Sequence, residues 1–119
     1  MQNYQQLEIW KESVEVVRET YRLAEQLPKV KEFGMTSHMM TTALSIPVNI
    51  TKSTRGRNPK EFLTFLENAL ESAYYLQIYV MLIRELLWND SMRNELEIRL
   101  VSFISLLHKE IKLTQSFIK

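Results

Sequence analysis

Hydrophobic positions along the chain recur at spacings of three and four, the signature of one buried stripe per helix. Leu7, Trp10, Val14, Val17, Tyr21 and Ala24 mark a first helix from about Tyr4 to Leu27, which Pro28 ends. Glu8, Lys11, Glu12, Glu15, Arg18, Glu19 and Arg22 fill its other side. Met35, Met39, Ala43, Ile46 and Ile50 mark a second helix, starting near Thr36 just after Gly34. Pro47 falls inside that stripe. A proline there removes the hydrogen bond to the carbonyl four residues back and costs about 3 kcal/mol. The stripe stays in phase across it, so one kinked helix is expected.

Phe62, Leu66, Ala69, Ala73, Leu76, Val80, Ile83 and Leu87 form an unbroken third stripe. Its start is well marked. Asn58 suits the N-cap, Pro59 the first helical position, and Glu61 the return contact of a capping box. Gly56 is expected at a left-handed position closing the second helix. Trp88-Asn89-Asp90-Ser91 reads as a turn, and Leu96, Leu100, Phe103, Leu107 and Ile111 carry a fourth helix. The pattern predicts an all-α fold, an antiparallel up-down-up-down four-helix bundle with a Pro-kinked second helix, in a single domain over residues 1–119.

Helix 3 carries more apolar surface than a bundle core needs. Tyr74, Tyr75, Ile78, Tyr79 and Leu82 lie beyond its stripe, as does Met81. A helix apolar all round buries more than one side, so these five residues are the expected interface of a homo-oligomer.

Composition removes several chemistries. There are 119 residues, of which 45% are hydrophobic and 24% charged, which fits one ordered globular domain. No cysteine is present, so disulfides, thiolate catalysis and Cys-bound zinc are excluded, and a reducing compartment, the cytoplasm, is expected. The N-terminus lacks the basic head and apolar run of a signal peptide. Asn49-Ile50-Thr51 is then a chance sequon. The longest apolar run, residues 73–83, is too short to cross a bilayer.

His38 and His108 are the only histidines, and Met35 and Ser105 precede them by three, so no Glu-x-x-His metal motif exists. Neither follows an arginine by four to six residues, the spacing of helical toxin-type ribonucleases. The two glycines make no phosphate loop, and Ser45 and Ser72 lack a nucleophile's context. No catalytic residue, metal, cofactor or small-molecule substrate is expected.

The net charge of +1 is unevenly placed. Residues 28–60 hold six basic residues against one acid, +5, and the rest of the chain carries −4. Lys52, Arg55, Arg57 and Lys60 surround the helix 2–helix 3 corner, where the third helix's N-terminus adds partial positive charge and backbone N–H groups. These four residues are the candidate phosphate contacts for RNA or DNA. No aromatic residue interleaves them in the sequence, and a solubilising corner explains the same charges equally well.

Ser45-Ile46-Pro47-Val48-Asn49-Ile50, the basic Arg55-Gly56-Arg57 turn, Lys60-Glu61-Phe62 and Phe65-Leu66 together resemble the 23S rRNA intervening-sequence proteins. The Leu7–Trp10 opening, Tyr21 and Phe33-Gly34 fit the same layout. The resemblance implies a four-helix bundle that assembles as a homo-oligomer, with a pentamer known in the family. It also implies kinship with accessory proteins of diversity-generating retroelements, which bind nucleic acid and a reverse transcriptase through basic surfaces. This chain departs from the family pattern at three places. Thr51-Lys52-Ser53 stands for Ala-Glu-Gly, Thr41 and Thr42 for a basic pair, and Glu71-Ser72 followed by Tyr75 for Gly-Ser followed by Glu. A protein–protein adaptor that docks a partner on the tyrosine-rich face of helix 3 is the alternative function. Within the motif, Ile46 and Ile50 are expected in the core, and the Asn49 amide is expected to satisfy the carbonyl that Pro47 leaves free.

Overall fold

The structure, a computed structural model, describes residues 7–27, 34–87 and 91–118. Among them are four helices: α1 (Glu8–Gln26), α2 (Met35–Ser53), α3 (Pro59–Leu87) and α4 (Ser91–Gln115). Each packs against two neighbours, α1 on α2, α2 on α3, α3 on α4, with α4 closing on α1. The expected first turn at Tyr4, the break at Pro28 and the Trp88–Asp90 turn lie outside the described residues, as does the Leu87 side chain.

Cross-helix pairs fix the antiparallel register. His38 stacks on Tyr79, and seven residues further along α2 the Ser45 hydroxyl meets Ser72, seven residues earlier on α3. Between α3 and α4, Tyr74 meets His108 and Arg84 meets Glu97, again in opposite directions. At 29 residues α3 spans most of the 49 Å long axis.

Three of the four expected stripes form the core. Met39, Ala43, Ile46 and Ile50 of α2 are buried, with Leu66, Ala69, Ala73, Leu76, Val80 and Ile83 of α3. Leu96, Leu100, Phe103, Leu107 and Ile111 complete it from α4. The helix 1 stripe is corrected in part: Ala24 is buried, and Leu7, Trp10 and Val17 pack against the edge of the core. Ile9, Ser13, Val16, Thr20, Leu23 and Leu27 face the core, and Tyr21 is exposed. The buried face is turned by one residue, about 100°. Two hydroxyls explain the shift. Ser13 donates to Trp10 O at 2.6 Å and Thr20 to Val16 O at 2.7 Å. Each satisfies its polar atom on its own helix, so a buried position needs no apolar residue there.

α2 runs unbroken through Pro47. The Asn49 amide donates at 2.8 Å to Ser45 O, not to the Ala43 carbonyl that proline deprives of a donor. That expectation is corrected too, because a side chain reaches back one turn to its own i−4 carbonyl most readily.

The corner follows its capping signals with one change. Asn58 Oδ1 accepts from Glu61 N–H at 3.0 Å, and Glu61 Oε2 accepts from Arg57 N–H at 3.3 Å. Gly56 is not left-handed; the positive φ among the described glycines belongs to Gly34, at 78°, the residue before α2. Space is tight around Gly56. A Cβ there would stand 3.0 Å from Phe62 N and 3.1 Å from Ser53 O, because the first turn of α3 lies against the last carbonyls of α2.

Candidate nucleic-acid interface

The four corner cations do not form one cluster. Lys52 and Arg55 leave the last turn of α2 on the side of α1. They line a groove of ≈ 390 Å³ with Trp10, Pro47, Val48 and Thr51, and no acid is among its described lining residues. Arg57 faces the end of the bundle, lining a groove with Glu110, Phe62 and Phe117. Lys60 is exposed on the first turn of α3 and lines neither groove.

Pairing separates them further. The Arg57 guanidinium lies 3.6 Å from Glu61, whose carboxylate also holds the Arg57 N–H. With Asn58 on the Glu61 N–H and proline at the first position, the N-terminus of α3 is largely capped from within. The free backbone donors expected there are reduced accordingly. Arg18, Arg22, Arg84 and Arg99 are also ion-paired, with Glu15, Glu19, Glu97 and Glu12. Of the arginines whose side chains are described, Arg55 alone forms no ion pair.

The sequence reading missed Trp10. Its indole N–H donates to Thr51 Oγ1 at 3.2 Å across 41 residues of chain, and this places an aromatic wall beside Lys52 and Arg55. Only the packing of α1 on α2 brings them together. The one signal in the sequence was a large aromatic residue at the edge of the helix 1 stripe.

A second, polar groove between α2 and α3 gathers Asn49, Asn68, Glu71, Ser72 and Tyr75. The third departure from the family pattern, Glu71-Ser72 followed by Tyr75, lies here. The Glu71 carboxylate, as acceptor for the Tyr75 hydroxyl proton and as a charge that repels a phenolate, pushes the Tyr75 phenol above its ordinary value. A carboxylate therefore remains on this face, one turn earlier than the tyrosine.

The expected interface residues on α3 divide into held and open ones. Tyr74 hydrogen-bonds His108 Nε2 at 2.7 Å, and the Tyr79 ring stacks on His38 at 6.4 Å. Between them Tyr75, Ile78 and Leu82 face outward, joined by Met81 and Leu86; Ile78 is 49% exposed and Leu86 60%. Among the described residues no group of three or more His, Asp or Glu side chains could hold a metal ion. No helix of the described residues is long and apolar enough to cross a membrane.

The described residues form an all-α bundle with a basic groove between α1 and α2 and an exposed apolar face on α3. The chain belongs to the 23S rRNA-intervening sequence protein family, whose sequence pattern matches residues 5–109. A crystal structure of a protein of unknown function from the S23 ribosomal protein family of Bacteroides thetaiotaomicron VPI-5482 superposes with a TM-score of 0.80. It is 21% identical, over 87% of this chain and 98% of that one, a likeness of fold. Among curated proteins none matches the chain.

Proposed function

We propose that the protein is a non-catalytic, cytoplasmic homo-oligomer that binds RNA or DNA through the basic α2–α3 corner. The observation that carries this reading is Arg55. It stands unpaired beside Lys52 in a groove with no acid among its described lining residues, while every other arginine with a described side chain is ion-paired with a glutamate. Lys60 and the partly neutralised Arg57 extend the positive surface around the corner. Few cations per subunit suffice when copies act together. In a ring of five, the pentamer the family resemblance implies, phosphate contacts repeat and their affinities multiply. Contacts of this kind read charge more than sequence.

The exposed α3 face supports self-association. It also supports the adaptor reading, in which another protein's helix lies on Tyr75, Ile78 and Leu82. Binding of labelled RNA hairpin and duplex DNA across a salt series separates the two. The nucleic-acid reading expects affinity to fall steeply with salt, with a slope of about 0.9 per phosphate neutralised on duplex. Lys52→Glu/Arg55→Glu is expected to weaken binding at least tenfold, and Arg57→Glu less, because Glu61 already takes part of its charge. No binding at low salt, or an unchanged double variant, would reject the nucleic-acid reading and leave the adaptor.

A further inference from the structure

On the α4 side of α1, a buried carboxylate is only half satisfied. Glu19 is 5% exposed. Arg22 donates to its Oε1 at 2.7 Å. Its Oε2 is buried and meets no donor, the one such side-chain atom among the described residues. The buried hydroxyls of the same helix show the usual arrangement, since Ser13 and Thr20 each donate to a carbonyl of α1 itself. A buried charged oxygen without a donor is costly, and native proteins carry few. An apolar residue would fill the position without that cost.

Glu19 lines a groove of ≈ 380 Å³ between α1 and α4, with Glu12, Glu95, Ile98, Arg99 and Ser102. The volume lies within the roughly 300–1,000 Å³ of small-ligand clefts. Its acids are not all matched. Arg99 lies 3.4 Å from Glu12, and Glu95 is exposed and in no ion pair among the described residues. The terminal torsion of a glutamate is soft, so the Glu19 carboxylate can turn to present its second oxygen without moving the helix.

The missing group must donate hydrogen bonds and carry positive charge. A metal ion does not fit. It needs several fixed oxygen ligands, and no group of three acids among the described residues is placed to hold one. An ammonium needs only acceptors, and its alkyl stem lies well on apolar surface. The groove offers both. Glu95, Ile98 and Ser102 share one face of α4, and Ile98 is 71% exposed. From Glu12 to Glu19, and from Glu95 to Ser102, the groove wall runs seven residues, about 10 Å of helix. That length suits a linear chain with ammonium groups several methylenes apart.

We infer that the α1–α4 groove binds a linear polyammonium ion, with one ammonium on Glu19, another on Glu95 and the methylenes over Ile98. The site is separate from the basic α1–α2 groove and needs no nucleic acid.

The test is calorimetric titration of the full chain, freed of nucleic acid, with spermidine. Saturable binding of one ion per subunit is expected, weaker for putrescine and weakest for butylamine, which carry fewer ammonium groups. Glu19→Gln keeps the shape and removes the charge, and is expected to raise the spermidine Kd at least roughly tenfold. Glu95→Gln, at an exposed acid, is expected to raise it roughly threefold. Glu67→Gln removes an exposed acid of α3 outside this groove and is expected to leave the Kd within about twofold. Ser102→Lys puts an ammonium into the groove from an exposed position, and is expected to abolish binding with helicity unchanged. It decides the matter should Glu19→Gln lose its fold.

No saturable binding of spermidine would overturn the inference and leave Glu19 Oε2 to water. Binding weakened equally by Glu67→Gln and Glu19→Gln, or matched by magnesium at equal charge, would overturn it as general screening of the surface. Binding retained by both Glu19→Gln and Ser102→Lys would place the ion elsewhere. None of these results touches the nucleic-acid reading, which stands or falls on Lys52→Glu/Arg55→Glu.

Discussion

Ile78→Glu combined with Leu82→Glu is expected to abolish the proposed self-association and leave monomers. Both side chains project from the exposed face of α3, one turn apart, between Tyr74 and Tyr79. Those two tyrosines are tied to His108 and His38 and frame the strip without closing it. Fully burying an apolar side chain of this size contributes about 1.5–3 kcal/mol. Ile78 and Leu82 are 49% and 41% exposed in the subunit, so about half of that remains for an interface to gain from each, and losing both removes about 1.5–3 kcal/mol before the cost of burying a carboxylate. The apolar loss alone is about one to two orders of magnitude in the association constant, and the carboxylates add to it. The fold of the single subunit does not depend on these residues, so helicity should be unchanged. Light scattering on a sizing column reads the result. A wild-type chain that already elutes as a monomer at micromolar concentration would remove self-association from the proposal and return the strip to the adaptor reading.

Gly56→Ala is expected to destabilise the subunit by about 1–3 kcal/mol, read as a lowered midpoint of thermal unfolding. The methyl group would press on a backbone nitrogen and a backbone oxygen, neither of which can rotate away. Gly56→Asn separates this cause from a conformational one. Asparagine tolerates left-handed backbone, so it would rescue a φ requirement, but it is larger than alanine and should be worse where space is limiting. Gly34, at φ 78° with nothing among the described residues within 4 Å of its would-be Cβ, should show the reverse order, with asparagine the better substitute.

Most of the bundle was legible because its signals are local. The Asn58-Pro59-Lys60-Glu61 start of α3 depends only on residues within one turn, and the observed bonds are the expected ones, apart from the step back to Arg57. The α2, α3 and α4 stripes were readable for the same reason. Helix 1 misled because Ser13 and Thr20 look like surface residues until their hydroxyls are seen turned onto their own carbonyls. The candidate site was legible as a cluster of charges and no further. Its division between two grooves, the partial neutralisation of Arg57 by Glu61, and the arrival of Trp10 all depend on how helices pack. No spacing along the chain encodes those. The exposed strip on α3 was readable as excess apolar surface, but which tyrosines were already engaged was not, since their histidine partners lie on other helices.

The tightly closed Gly56–Asn58 corner also bears on the order in which the chain acquires its structure. α2 and α3 meet through contacts close in sequence, sealed by a cap that needs nothing from α1 or α4. The α1–α4 seam instead joins Glu12 to Arg99 across 87 residues. Local contacts cost the least loop entropy, so the α2–α3 hairpin should be the kinetic nucleus, and the seam should close last. Pulse-labelled amide exchange should find protection first in residues 39–50 and 62–80; earlier protection in α1 would reverse that order. During synthesis the hairpin is complete before α4 has been translated. The half of the chain that carries the basic groove's cations would then take shape while its C-terminal helix is still being made.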